Sequence, residues 1–266
     1  MLIDAHCHLT SLNEAESRDN AENFNLDSIA HILKRAQAAG VIGCLVPSVV
    51  RSDWPKVLKV LTLKDSLWGA VGVHPQEPAP MLTISELSKA ATSDTRIVGI
   101  GETGLDFSQS ATQKEQERQI QLLKVHLQVA SELNKVLIIH VRDAFLELMR
   151  VMREFNHTPS RVMIHCFTGS YDQAKEALDA GFYLSFSGIL TFKNAEYLRD
   201  VFKKVPLERI LLETDAPFLA PVPMRGKMNE PSYLTYTAQV AAELLGLKID
   251  VLADKVTQNF YNLIGI

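Results

Sequence analysis

Residues 114–166 read KEQERQIQLLKVHLQVASELNKVLIIHVRDAFLELMRVMREFNHTPSRVMIHC, in which long amphipathic patterns alternate with short apolar runs. Lys114–Leu133 and Ala144–Phe155 have apolar residues at the 3.6-residue spacing of helices. Val136–His140 and Val162–Cys166 are short and apolar, which is typical of buried parallel strands. The stretch therefore predicts a helix–strand–helix–strand unit.

The same alternation extends over the whole chain. The other candidate strands are Leu2–Cys7, Gly43–Ser48, Trp68–Val73, Ile97–Gly101, Tyr183–Ser187 and Ile210–Glu213. The other helical patterns are Leu26–Ala39, Trp54–Leu63, Ile84–Ala91, Tyr171–Asp179, Ala195–Val201, Ser232–Leu245 and Ile249–Leu263. Eight strand signals, each followed by a helix, predict an α/β fold, a TIM-type (β/α)8 barrel. A doubly wound open sheet alternates in the same way, but the count of eight favours the barrel.

We expect one domain over residues 1–266, because no repeat or Pro/Gly-rich linker divides the chain. The least core-like segment is Ser11–Asn25, which is polar and reads as a long loop after the first strand. Asp27 or Ser28 would cap the helix that follows it.

Composition narrows the class of protein. Hydrophobic residues make up 47% and charged residues 22%, which are ordinary globular values, and the net charge of −4 argues against non-specific coating of DNA. Three cysteines without a CxxC motif indicate reduced thiols. Because no targeting segment or membrane span is visible, we expect a cytoplasmic protein without membrane contact. We further expect a monomer or a weak oligomer.

Residue types that bind metals recur where the predicted strands end. His6 and His8 are two residues apart on the first strand, so both imidazoles can share one face and reach one cation. On its own, a His-x-His pair is explained equally well by coincidence or by two solvated histidines. In a parallel barrel the strand ends meet at one mouth, which would bring these residues together with the ones that end other strands.

Four further candidates follow the same rule. Glu102 is flanked by Gly101 and Gly104, and its two carboxylate oxygens could bridge two cations; a capping or loop acid is the alternative. His140 and His165 each end an apolar run, where a buried core histidine is the alternative, and Asp215 follows the last strand. Asp106 is read as a turn residue in preference to a partner of a metal ligand.

The predicted ligand set holds four imidazoles and two carboxylates. Such mixed nitrogen and oxygen donors suit Zn²⁺, Mn²⁺, Co²⁺ or Fe²⁺, with Mg²⁺ as a further candidate. Six ligands exceed what one catalytic Zn²⁺ takes, so two divalent cations that share Glu102 are the economical arrangement.

Other residues at the same barrel end could contact a phosphorylated substrate. Arg142, Arg225 and Asn229 supply donors for phosphate oxygens, although most surface cations are only solvated charges. His74 could contact the substrate, orient a ligand or fix a turn. The phenylalanines in the loops at the mouth could stack on bases or belong to the core: Phe107, Phe167, Phe192 and Phe218.

Together these motifs closely resemble the TatD-type metal-dependent nuclease family, within the amidohydrolase-like barrels, over essentially the whole chain. The resemblance rests on the segments DAHCH at 4–8, GVHP at 72–75, GETGLD at 101–106, HVRD at 140–143, HCFTGS at 165–170 and ETDAP at 213–217. Thr103 and Met228 depart from residues common in the family, an aliphatic and a basic one.

The resemblance implies a two-metal site in which His6, His8 and Asp215 serve one ion, His140 and His165 serve the other, and Glu102 lies between them. It also implies cleavage of phosphodiester bonds in DNA, typically in the 3′-to-5′ direction from an end. Our hypothesis is accordingly a metal-dependent deoxyribonuclease in which Asp215 and Glu102 are catalytic, acting on DNA, with RNA or small nucleotides as other substrates.

Two other functions remain open at this point. The first is an amidohydrolase-type enzyme that cleaves a small ester, amide or phosphoester; many such barrels bridge their metals with a carboxylated lysine where this chain has Glu102. The second is a non-catalytic, metal-containing module that binds nucleic acid.

Overall fold

The computed structural model describes residues 1–12, 24–78, 81–108, 112–155 and 158–266. In these ranges, strands and helices alternate along the chain. The strands are β1 (Leu2–Asp4), β2 (Val41–Val46), β3 (Leu67–Val71), β4 (Ile97–Asp106), β5 (Val136–Arg142), β6 (Val162–Ile164), β7 (Tyr183–Phe186) and β8 (Ile210–Leu212). The α-helices are α1 (Leu26–Ala38), α2 (Trp54–Leu61), α3 (Ile84–Ala91), α4 (Gln113–Glu132), α5 (Phe145–Glu154), α6 (Tyr171–Asp179), α7 (Glu196–Phe202), α8 (Leu234–Leu245) and α9 (Ile249–Ile264).

The strands form one parallel sheet in chain order, from β1 to β8. Backbone hydrogen bonds also join its first and last strands: Ala5 N–H donates to Leu212 O and Asp215 N–H donates to His6 O, each at 3.0 Å. An open, doubly wound sheet would leave these two edges apart. The (β/α)8 barrel predicted from the alternation is therefore confirmed.

The apolar core has two layers. The larger layer lies between the sheet and the surrounding helices. The smaller layer fills the barrel near the starts of the strands, where Ile3, Trp68 and Met163 pack with Phe260 and Leu263 of α9. The Trp68 and Phe260 ring centroids are 5.1 Å apart. α9 thus closes the end of the barrel opposite to the carboxyl ends of its strands.

β4 is longer than the sequence pattern predicted. The expected strand ended at Gly101, whereas β4 continues to Asp106 and pairs with β5 as far as Arg142. Gly104 makes this possible, because it has a φ of +141° and a side chain there would collide with the carbonyl oxygen of His140. Glu102 consequently lies within a strand and not after it.

The first helix is capped differently from the prediction. Asn25, in extended conformation, accepts hydrogen bonds at Oδ1 from the N–H groups of Asp27 and Ser28, at 2.9 and 3.3 Å. Asp27 and Ser28 therefore lie in the first turn of α1, and the predicted cap was wrong by two or three residues. Most of the predicted loop Ser11–Asn25 (residues 13–23) lies outside the described residues.

The longest helix in the described ranges, α4, has 20 residues and is predominantly polar. Within those ranges, no helix combines the length and the apolar character that crossing a bilayer requires.

Candidate metal centre

The six predicted ligands converge at the carboxyl ends of the strands. His6 and His8 follow β1, His165 follows β6 and Asp215 follows β8, while Glu102 and His140 lie in β4 and β5. Four of the six are at most 5% exposed, and His140 and Asp215 are partly buried. Residues up to 209 positions apart in sequence, from His6 to Asp215, therefore share one mostly buried polar site.

Glu102 lies at the middle of this cluster. Its Oε2 is 3.4 Å from His6 Nε2 and 3.6 Å from His8 Nε2. Its Oε1 is 2.8 Å from His165 Nε2 and 3.2 Å from His140 Nδ1. The two oxygens of one carboxylate thus face two separate pairs of imidazoles.

Asp215 adds a second carboxylate to the pair formed by His6 and His8. Its Oδ1 lies 3.4 Å from His8 Nε2 and 3.8 Å from His6 Nε2. The two pairs of imidazoles adjoin, because the rings of His6 and His165 stack with centroids 4.0 Å apart. The cluster is therefore continuous from Asp215 to His140.

The separations between these donor atoms suit bound cations. Two atoms that each lie about 2.1 Å from one metal ion are roughly 3.0–3.4 Å apart at octahedral or tetrahedral angles. His6 Nε2 and His8 Nε2 are 3.2 Å apart, and His140 Nδ1 and His165 Nε2 are 3.3 Å apart. Three overlapping groups in the cluster have geometry that could hold a metal ion. The residues fit divalent cations of the nitrogen- and oxygen-binding kind.

Proximity also shifts the proton affinities of these groups. Burial alone would raise the pKa of Glu102, but the charge of His165 and hydrogen bonds from His140, His165 and His6 hold it well below its usual range. Burial would lower the pKa of His165, yet Glu102 and Glu213 raise it well above its usual value. His165 therefore carries a proton at neutral pH in the metal-free protein, and a cation that binds at His165 must release it.

Asp106 supports one of the ligands. Its Oδ2 is 3.0 Å from His140 Nε2, while its Oδ1 accepts a hydrogen bond from Ser108 N–H at 3.0 Å. The sequence-based reading as a turn residue only was therefore incomplete. In a strand, Glu102, Gly104 and Asp106 share a face, and that signal was missed because the strand was predicted to end at Gly101.

Glu213 is a second supporting carboxylate that the motif analysis did not single out. It is fully buried, and its Oε1 accepts a hydrogen bond from Cys166 N–H at 2.7 Å and lies 3.5 Å from His165 Nδ1. Its signal in the sequence was an acidic residue directly after the apolar run of β8, where burial demands a partner.

Asp4 joins the first strand to the segment after the last. It accepts hydrogen bonds from both the N–H group of Thr214, at 2.9 Å, and its hydroxyl group, at 2.5 Å. Asp4 also accepts from His6 N–H at 3.3 Å, so one buried carboxylate fixes the backbone on both sides of the barrel seam.

His74, predicted as a substrate contact, lies inside the cluster. Its Nε2 is 3.5 Å from Glu102 Oε1, and its ring centroid is 4.6 Å from that of His140. The buried His126 holds the preceding residue by accepting a hydrogen bond from Val73 N–H at 3.0 Å. His74, Glu102 and His140 form one of the groups that could hold a metal ion.

The other predicted substrate contacts lie farther out. Arg142 is exposed, and within the described part of the chain its side chain has no hydrogen-bond or ion-pair partner. The exposed Arg225 places its guanidinium 4.0 Å from the ring centroid of Phe192. Phe218 is 60% exposed and approaches His8 edge-on, at 6.3 Å between centroids.

Asn229 differs from these because it is fully buried. Its Nδ2 donates hydrogen bonds to the carbonyl oxygens of Thr214, at 2.9 Å, and Phe218, at 2.6 Å. Its Oδ1 accepts from Glu230 N–H at 3.0 Å. Asn229 thereby holds the loop that carries Asp215, and a direct contact with phosphate stays a prediction.

Comparison with known families now decides between the possible barrels, since residues 3–265 match the model of the TatD related DNase family. The chain belongs to the TatD family. The metal-dependent hydrolase predicted from the ligand cluster is confirmed by the same comparisons. Among its relatives is the uncharacterized metal-dependent hydrolase YcfH of Escherichia coli K12, 37% identical over 265 residues, covering 100% of this chain and 96% of that protein.

Two further relatives of this TatD-family chain extend the comparison. The uncharacterized metal-dependent hydrolase YabD of Bacillus subtilis is 35% identical over 268 residues, with full coverage of both chains. The protein named 3′-5′ ssDNA/RNA exonuclease TatD from Erwinia billingiae is 30% identical over 266 residues, covering 97% of each. Among solved structures, the TatD homologue YjjV from E. coli K12 superposes with a TM-score of 0.86 at 29% identity, covering 100% of this chain and 98% of that one.

Proposed function

We propose that this protein is a divalent-metal-dependent deoxyribonuclease that hydrolyses phosphodiester bonds from the 3′ end of single-stranded DNA. The observation that carries the proposal is the division of the cluster by Glu102, with His6 and His8 at one oxygen and His140 and His165 at the other. This arrangement supports two cations, one held by His6, His8 and Asp215 and the other by His140 and His165, with Glu102 between them.

Bound divalent cations would supply an activated water and would neutralise the charge that develops on the non-bridging phosphate oxygens. Zn²⁺, Mn²⁺ or Mg²⁺ is proposed, because the donors are imidazoles and carboxylates only. Asp106 contacts His140 Nε2 at 3.0 Å and so orients that ring with Nδ1 towards Glu102, while Glu213 lies beside His165 Nδ1.

Asp215 is suited to the proton transfer. Burial would raise its pKa, but the hydrogen bond from His8 and the charge of His165 keep that pKa below its usual value, so the group is an ionised acceptor at neutral pH. We assign to Asp215 the orientation of the attacking water and the acceptance of its proton. The water oxygen forms a new P–O bond as one P–O bond of the diester breaks, and the leaving oxygen takes the proton from Asp215 and departs as an alcohol.

Substrate binding is assigned to the rim outside this centre. Arg142 and Arg225 are exposed cations that suit phosphate oxygens, and Phe218 exposes an aromatic face beside His8 on which a base can stack. The name of the Erwinia relative supports single-stranded DNA or RNA as the polymer and the 3′-to-5′ direction.

The direct test uses a 5′-labelled single-stranded DNA oligonucleotide, its RNA counterpart and a circular single-stranded DNA, each with Mn²⁺, Mg²⁺ or a chelator. We expect the linear DNA to shorten stepwise from its 3′ end with metal only, and the circle to stay intact. Asp215→Asn should lower the rate by about 10³-fold, since it removes the proton acceptor and a cation ligand.

Asp179→Asn is the matched control, because Asp179 is exposed on α6 and pairs with Lys175. Equal rates for the wild type, Asp215→Asn and Asp179→Asn, or no cleavage of any phosphodiester, would end the proposal. Faster cleavage of RNA than of DNA would replace the substrate class, and cleavage of the circle would replace the exonuclease direction.

A further inference from the structure

A cleft lies beside the metal-ligand cluster at the carboxyl ends of β4, β5 and β6. Its volume is about 580 Å³, and none of the six metal-ligand candidates lines it. Phe107, Val141 and Phe167 line it and come one or two residues after Asp106, His140 and His165. The cleft is thus a separate compartment that begins where the metal centre ends.

The size and the lining of the cleft suit a small organic group. Ligand pockets usually have volumes of about 300–1,000 Å³ and combine apolar walls with a few placed polar groups. Phe107, Val141 and Leu146 supply apolar surface here, and Leu146 is 77% exposed although it is a large aliphatic residue. Thr168 and Gln173 supply polar atoms along the same walls.

The charge in the cleft points to an anionic partner. Arg142 lines it with an exposed guanidinium that has no hydrogen-bond or ion-pair partner within the described residues. Of the acidic groups that also line the cleft, Glu147 is paired with Arg150 at 2.6 Å. Asp143 is exposed to solvent. A planar guanidinium beside apolar walls suits a phosphate attached to a flat aromatic group.

We propose that this cleft binds the terminal nucleotide of the substrate, with its base and sugar against Phe107, Val141 and Leu146. Its one phosphate is the scissile group, which Arg142 contacts where the cleft adjoins the metal centre. The inference rests on the proposed function, because it is a nucleic-acid substrate that places a nucleotide next to the metal centre. The size of the cleft also gives a reason for cleavage at strand ends, because a volume of about 580 Å³ has room for about one nucleotide.

Binding of deoxyadenosine 5′-monophosphate and of inorganic phosphate to the metal-loaded protein, each followed by calorimetry, tests the cleft. We expect the nucleotide to bind at least about tenfold more tightly than phosphate to the wild type. Thr168→Trp, which places an indole in the cleft, should abolish that difference and leave phosphate binding within twofold. Gln128→Trp, which places the same side chain in a groove between α4 and α5, should change neither.

A second variant, at the protein surface, keeps the test decisive if Thr168→Trp does not fold. Arg142→Ala removes an exposed side chain and should weaken nucleotide binding by about tenfold, because a charge-assisted phosphate contact is lost. Equal affinity of the wild type for nucleotide and phosphate, or unchanged nucleotide binding in both cleft variants, would overturn the proposal.

Hydrolysis of bis(p-nitrophenyl) phosphate, a small diester without a nucleotide, separates this inference from the proposed function. We expect Gln128→Trp to retain that activity within twofold. Thr168→Trp should raise the KM for a DNA oligonucleotide by at least tenfold more than it raises the KM for the small diester. If the wild type cleaves the small diester but does not prefer the nucleotide in binding, the cleft assignment fails alone. If it binds the nucleotide as expected but cleaves no diester, the phosphodiesterase assignment fails and the cleft stands.

Discussion

The two ends of the barrel interior differ in chemistry although the same strands build both. Near the strand starts, Trp68, Val136 and Met163 pack in a dry layer closed by Phe260 of α9. Near the strand ends, the interior instead contains the ionisable cluster around Glu102. Single strands make the change within a few residues: along β5 the inward side chains run from Val136 through Ile138 to His140.

This difference shows that one end of the barrel stabilises the fold and the other end carries the candidate catalytic groups. Apolar burial at the closed end stabilises the fold, whereas burying charge at the open end costs free energy unless partners or cations offset it. Substitutions at the closed end should therefore change the free energy of unfolding and leave kcat unchanged. Substitutions at the open end should mainly lower the catalytic rate.

The largest effect is expected at the centre of the open end. Glu102→Gln replaces the carboxylate between the two pairs of imidazoles, so cation binding and charge stabilisation of the transition state should both suffer. A loss of several kcal/mol corresponds to about a 10³-fold decrease in kcat/KM for a phosphodiester. Steady-state kinetics together with elemental analysis of bound metal checks this, and wild-type activity with full metal content would contradict it.

At the closed end, Phe260→Ala should lower the free energy of unfolding by about 3–5 kcal/mol, because it leaves a cavity against Trp68. Below the unfolding transition its kcat should stay within twofold of the wild type. Urea denaturation measures the loss. Val251→Ala, on the exposed side of the same helix, is the control and should cost about 0.5 kcal/mol or less. A large decrease in the kcat of folded Phe260→Ala would erase the contrast between the two ends.

The third prediction concerns pH and the fully buried His126 of α4, whose Nε2 accepts a hydrogen bond from Val73 N–H. Burial lowers its pKa to about 4. The unfolded chain takes up a proton near pH 6.5 and the folded one near pH 4, so stability falls as the pH falls between these values. From pH 7 to pH 4.5 this group should remove about 2–3 kcal/mol.

His126→Gln keeps an acceptor for Val73 N–H and removes the titration. Urea denaturation of the metal-free proteins at both pH values should therefore show a smaller pH dependence for this variant, by about 2–3 kcal/mol. An identical dependence in the two proteins would show that His126 does not stay neutral in the fold.

The smallest effect is expected one step outside the cluster. Asp106→Asn weakens the partner of His140, and loss of such a supporting group typically costs about 10–100-fold in metal affinity. Competition with a chelating dye measures the affinity, and Asp200→Asn, an exposed acid paired with Lys203, serves as the control. If Asp106→Asn binds metal as the wild type does, Asp106 serves only the turn at Ser108.

The sequence predicted the barrel and the convergence of its ligands for a local reason. Each strand is a short apolar run, so the pattern located the strands and their count of eight favoured the barrel. His140 and His165 stand where such runs end, and the recurrence of metal-binding residue types at these positions indicated the candidate ligands. The assignment of each candidate ligand to one of two cations came from the family resemblance and not from the pattern.

Features that depend on contacts distant in sequence were harder to predict. The extension of β4 past Gly101 depends on the close passage of β5 at Gly104, which no local pattern encodes. The support of His140 by Asp106 depends on that extension. The burial of Asn229 and its hydrogen bond to Thr214 O likewise join residues 15 positions apart, and the local sequence did not predict them.

The seam between β1 and β8 also sets when the centre can form during synthesis. Asp4 and Thr214 are 210 residues apart in sequence, yet their hydrogen bonds fix the backbone that presents His6 and Asp215. At a translation rate of about 5–20 residues per second, roughly 10–40 seconds separate the appearance of the two partners. A nascent chain short of Thr214 has Glu102 but lacks Asp215, so the complete centre forms only once the ribosome has delivered the segment that follows β8.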